Sequence, residues 1–124
     1  MRTKTMSLAW IAVKNLKQAI KFYTEVLGMK LMETHEQFGW AELQGHDGGA
    51  RLGIAQLPDE GHFKAGQNAV VTFTVENIEK ATTELTTKGA TCIGSVQEIP
   101  GHAKLQMAVD ADGNHFQLVQ ILSK

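Results

Sequence analysis

Ile11-Ala12-Val13-Lys14-Asn15-Leu16-Lys17-Gln18-Ala19 returns as Phe73-Thr74-Val75-Glu76-Asn77-Ile78-Glu79-Lys80-Ala81, 62 residues later in a chain of 124. Each copy reads as the end of a strand, an Asn at the position of a helix N-cap, and the start of a helix. A period of half the chain means two modules, not a solenoid. Two similar halves are expected to face each other across a shared cleft. The functional question is what lines it.

Outward from the first copy, Leu8 to Val13 reads as a strand. Asn15 with Gln18 three residues later is a capping-box arrangement. Leu16, Ala19, Ile20, Tyr23 and Val26 or Leu27 recur at helical spacing, and Gly28 can take the left-handed conformation that closes a helix. Met29 to Thr34, Gly39 to Leu43 and Arg51 to Leu57 read as strands. The last two are joined by the turn-rich Gly45-His46-Asp47-Gly48-Gly49.

The second copy repeats this order. Ala69 to Val75 is a Val- and Thr-rich strand, Asn77 caps a helix with Ile78, Ala81 and Leu85 on its apolar face, and Gly89 ends it. Thr91 to Val96, Leu105 to Val109 and His115 to Ile121 are the remaining strands. Pro100-Gly101 and Asp110-Ala111-Asp112-Gly113-Asn114 form the turns between them. The expected architecture is one α+β domain over 1–124: a βαβββ module over 6–57, a linker over 58–68 with Phe63 as a lid or anchor, and a second module over 69–122. A sheet with a helix on one face leaves its other face uncovered, so two such mixed sheets are expected to curve around the shared cleft.

The balance of 12 basic and 13 acidic residues, without a basic stripe, argues against nucleic acid as a partner. No apolar run approaches a membrane span, and Met1-Arg2-Thr3-Lys4-Thr5 is not followed by a signal core. The expected location is the cytoplasm. A single cysteine, Cys92, rules out an intrachain disulfide, and its strand-like surroundings suggest a buried, inert thiol. No nucleophile elbow, phosphate loop or HxxEH pattern is present.

The segment Val13-Lys14-Asn15-Leu16, followed by Phe22-Tyr23-Thr24-Glu25-Val26-Leu27-Gly28-Met29, resembles the opening of the vicinal oxygen chelate superfamily. That group holds glyoxalase I, extradiol dioxygenases, fosfomycin-resistance proteins and bleomycin-binding proteins. Val109-Asp110-Ala111-Asp112-Gly113-Asn114-His115-Phe116-Gln117-Leu118 is similar to its closing Asp-Pro-Asp-Gly turn and final strand, with Ala111 where Pro is usual. The expected assembly is a homodimer, and the resemblance allows a cleft closed within one chain or swapped across the dimer. The resemblance also implies up to four metal ligands, on the first and last strand of each module. Those places fall on Leu8, near Gly53, on Val70 and on Gln117. Leu8, Gly53 and Val70 offer no donor side chain, and a metal needs several converging donors. We therefore expect no metal and no other cofactor, with Gln56 the nearby donor on the least certain strand.

Strand alternation gives Gln117 the parity of the family's ligand and Trp10 the parity of Leu8, so both are expected to face the cleft. Trp10 would line a small-molecule pocket, close the gap between modules, or both. Trp40 and Glu42 share a face of another strand, where Glu42 is a candidate base or acceptor, or simply solvated. Arg51 begins a strand and would bind an anion or form a surface salt bridge. His102, beside the Pro100-Gly101 turn, is the other candidate catalytic group. His115 has the parity of Gln117, while His35, His46 and His62 are expected on the surface. The expected ligand-binding set is therefore Leu8, Trp10, Trp40, Arg51, Val70, His115 and Gln117. The favoured function is metal-free binding of a small organic molecule. The alternative is a superfamily enzyme of lyase, isomerase or dioxygenase type, with ligands displaced to Gln56, Gln117, His102 and His115 or with metal-free acid–base chemistry.

Overall fold

The computed structural model describes residues 2, 4, 6–57, 65–66 and 70–122. Pro58, His62, Phe63, Ala69 and most of the expected linker lie outside the described residues. The chain forms two compact units, Met1–Asn68 and Ala69–Lys124.

The first unit runs β1 (Leu8–Val13), α1 (Leu16–Lys21), a π-helical turn (Phe22–Val26), β2 (Lys30–His35), β3 (Trp40–Gly45) and β4 (Gly48–Gln56). Its sheet has the order β1-β4-β3-β2, with β1 parallel to β4 and the other neighbours antiparallel. The second unit runs β5 (Val71–Thr74), α2 (Ile78–Thr87), β6 (Thr91–Ile99), β7 (Ala103–Val109) and β8 (His115–Ile121). Its order is β5-β8-β7-β6, with β5 parallel to β8. A parallel pair needs a long crossover, which α1 or α2 and the following meander supply.

Alternation along the strands builds each core. In the first unit Ile11, Val13, Ala41, Leu43, Leu52 and Ile54 are buried, as are Leu16, Ala19 and Tyr23 of the helical segment. Register places Ile11 beside Ile54 and Leu43 beside Leu52, so these residues share the face toward α1. In the second unit Ile78, Leu85, Ala108, Phe116 and Leu118 do the same work, with Phe73 edge-on to Phe116 at 5.9 Å.

Helix starts follow the expectation. The side chain of Asn15 accepts from the backbone N of Gln18, and that of Asn77 from Lys80, each at 2.9 Å. Gly28 and Gly89 close their helical segments with φ of 70° and 88°.

Several boundaries differ from the sequence reading. The first helix does not stay α-helical to Gly28. The Thr24 hydroxyl donates to the carbonyl of Ile20 at 2.8 Å, and Leu27 N reaches back to Phe22 O at 3.3 Å. Such back-bonding by Thr competes with the α ladder, and the turn widens. The turn before β4 is only His46-Asp47, because Gly45 pairs with Gly48 and the strand starts there. β6 continues to Ile99 across a register shift between Ile93 and Gln97. The buried Gln106 amide serves the carbonyls of Ile93 and Gly94 at that irregularity. β7 begins at Ala103, earlier than Leu105. Cys92 is half-buried, not buried, because β6 is an edge strand.

Candidate functional site

The face of the first sheet opposite α1 carries a different set of residues. Register pairs Leu8 with Arg51 and Trp10 with Gly53, and sets Glu42 beside Gly53 and Gln44 beside Arg51. On the far side Glu33 stands opposite Glu42 and His35 opposite Trp40. Leu8, Trp10, Trp40, Glu42 and Arg51, all singled out from the sequence, thus share one face.

Four of these five line an open groove of about 860 Å³: Leu8, Trp40, Glu42 and Arg51, with Met6 and Gln44 among their neighbours. Trp10 stands edge-on to Trp40 with ring centroids 6.5 Å apart, and it is 39% exposed. Gly53 lies beneath. A Cβ there would collide with Cη2 of Trp40 and come within 2.7 Å of Cζ2 and 2.9 Å of Trp10 Cβ. A side chain at position 53 would therefore force the Trp40 ring to shift.

Hydrogen bonds lock the polar side of the groove. Trp40 Nε1 donates to Glu42 Oε2 at 3.0 Å. Arg51 Nη1 donates to Glu42 Oε1 at 2.9 Å and to Glu33 Oε2 at 2.5 Å. Glu33 Oε1 in turn lies 3.1 Å from His35 Nε2. The His35 hydrogen bond, then the Arg51 hydrogen bond, lowers the Glu33 pKa. Arg51 is raised, first by its bond to Glu42 and then by that to Glu33. Glu42 is not a freely solvated carboxylate: its side chain is 19% exposed and both oxygens are engaged. Arg51 takes the salt-bridge role.

The second unit places its candidates differently. Gln117 and His115 alternate on the face of β8 opposite α2, where Thr72 Oγ1 donates to Gln117 Oε1 at 3.4 Å. Val70 precedes β5 and is exposed. His102 is exposed on the turn between β6 and β7, so it adjoins Leu122 and not Gln117, which pairs with Met107. His35 is half-buried at the end of β2, and His46 is exposed.

One candidate donor is lost outright. Gln56 has the parity of Ile54, toward α1, and its Oε1 accepts from Leu16 N at 2.7 Å. It caps the helix and does not join the groove. The residues present do not fit the metal expected of the resemblance. Leu8, Gly53 and Val70 have no donors, and the cation between Glu33 and Glu42 is the Arg51 guanidinium. Among the described residues no cluster of three or more His, Cys, Asp or Glu is disposed to hold a metal.

The sequence reading missed Glu33 and Gln44. Gln44 was signalled by its parity with Trp40 and Glu42. Glu33 was hidden, because an irregularity between Leu31 and Glu33 sets its register.

The profile of the Glyoxalase/Bleomycin resistance protein/Dioxygenase superfamily matches residues 5–118. The chain belongs to this superfamily. The glyoxalase/bleomycin resistance fold is shared with a superfamily member from Sphaerobacter thermophilus at TM-score 0.80 and 20% identity, over 95% of this chain and 98% of that one. The antibiotic binding protein TnmS3 from Streptomyces sp. CB03234 matches at TM-score 0.81 and 19% identity, over 98% of each chain. TioX from Micromonospora sp. ML1 matches at 0.70 and 16%, over 95% and 99%. At these identities the likeness extends to fold alone. No curated protein matches the sequence. Among the described residues no helix of this glyoxalase-fold chain is long and apolar enough to cross a membrane.

Proposed function

We propose that this superfamily member binds a small organic molecule in the groove of its first unit, without a metal and without transforming the ligand. One observation carries the reading. An open groove of about 860 Å³ sets apolar Met6, Leu8 and Trp40 beside the hydrogen-bonded pair Glu42 and Arg51. Polar and apolar surface share the wall about equally, so apolar groups can hold a small molecule while the fixed polar groups orient it. The description of TnmS3, a protein of similar fold, as an antibiotic binding protein supports it. The displaced-ligand enzyme finds less support, because Gln56 is spent on α1 and His102 stands on an exposed turn.

A thermal-shift screen of aromatic antibiotics and metabolites, followed by titration calorimetry, tests the reading. A hit that is lost when Arg51 and Leu8 are replaced supports it. The absence of any hit across a broad panel overturns it. We further propose that the protein acts as a homodimer in the cytoplasm; a monomer in sedimentation velocity runs at tens of micromolar would overturn the dimer.

A further inference from the structure

Gly53 lies near the place where the family resemblance puts the last-strand metal ligand of the first module. Above it lies no donor but the Trp40 ring, in the volume a side chain at position 53 would need. The ring is held there. Its Nε1 is bonded to Glu42, and Glu42 is fixed by Arg51, itself tied to Glu33. Trp10 abuts it edge-on. A tryptophan with its N–H satisfied and its ring orientation set is a preorganised apolar surface, so little entropy is lost when a ligand packs on it.

We propose that Trp40 is the specificity-determining residue of the groove. Its indole replaces a metal-ligand side chain and converts a place for chelating vicinal oxygens into a platform for flat aromatic molecules. Glu42 is its positioning residue, acting through the ring and not on the ligand. This inference rests on the groove being the binding site.

The test uses 2-naphthol and 2,3-dihydroxynaphthalene, which share one ring system but differ in having vicinal oxygens. Calorimetry of the full chain is expected to give affinities within about threefold of each other, unchanged by EDTA or added Zn²⁺ or Mn²⁺. Trp40→Ala is expected to weaken both at least tenfold, and Trp40→Phe, which keeps a ring, substantially less. Glu42→Gln can still accept from Nε1 and should lose less affinity than Glu42→Leu, which should also shift the tryptophan fluorescence. Gly53→Ala should displace the ring and weaken binding in wild type, yet add little in Trp40→Ala. Should Gly53→Ala fail to fold, the Glu42 pair decides the positioning claim.

Metal-dependent tightening for the dihydroxy compound alone overturns the proposal, as does full independence of Gly53→Ala and Trp40→Ala. Naphthalene binding that is indifferent to Trp40→Ala but lost in Arg51 and Leu8 variants overturns Trp40's role and leaves the groove standing. No binding by either naphthalene, with other panel compounds bound, overturns the platform alone. No binding by any compound removes both.

Discussion

The side-chain oxygen of Gln56 accepts the backbone N–H of Leu16, the first residue of α1, at 2.7 Å. Gln120 does the same for Ile78, the first residue of α2, at 2.8 Å. In both units the last strand thus satisfies a helix donor that has no partner within the helix, while the Asn cap takes a second. The contact also ties the helix start to the strand parallel to the one that precedes it.

Gln56→Leu and Gln120→Leu should each lower stability by about 1 kcal/mol, the cost of losing one such hydrogen bond. Urea denaturation followed by circular dichroism measures it. Because Gln56 points toward α1, ligand affinity in Gln56→Leu should stay within about twofold of wild type. A tenfold loss of binding would return Gln56 to the site.

Gln106 is 1% exposed, and its amide donates to the carbonyls of Ile93, Gly94 and Met107. Gln106→Leu keeps the bulk and leaves carbonyls at the β6 irregularity unpaired. We expect about 2 kcal/mol or more of destabilisation. Hydrogen exchange should quicken first in β6 and β7, and uniform loosening of both units would contradict this account.

Glu33 has its pKa lowered from 4.5, first by the His35 hydrogen bond and then by the Arg51 hydrogen bond. The unfolded chain therefore takes up this proton more readily than the folded one. The contribution is complete above the unfolded pKa and is lost as pH falls through the folded one. A Tm difference between wild type and Glu33→Gln should exist at neutral pH, be small because the pair is exposed, and close as acidification carries the pH down through the lowered folded-state pKa. A gap that widens with acid contradicts the assignment.

Metal removal should change nothing. On the proposed metal-free reading, protein purified without chelator is expected to carry less than about 0.1 equivalent of Zn, Ni, Mn or Fe, and EDTA should leave its Tm unmoved. Stoichiometric metal by elemental analysis would overturn the metal-free reading.

The sequence by itself determined the scaffold. The repeated Asn caps, the closing glycines and strand alternation are local signals, each decided by backbone chemistry within a few residues. They were enough for the βαβββ order, and parity paired Leu8 with Trp10 and Trp40 with Glu42, while register set these four and Arg51 on one face. Tertiary structure decided what those residues do. Gln56 became a cap because β4 lies parallel to β1 beside the start of α1. Glu33 joined Arg51 because an irregularity in β2 turned it to that face. The role of Gly53 follows from the ring of a residue thirteen positions away lying across it. Periodicity tells which way a side chain points, but cross-strand register and ring placement tell what it meets, and those depend on strands distant in sequence.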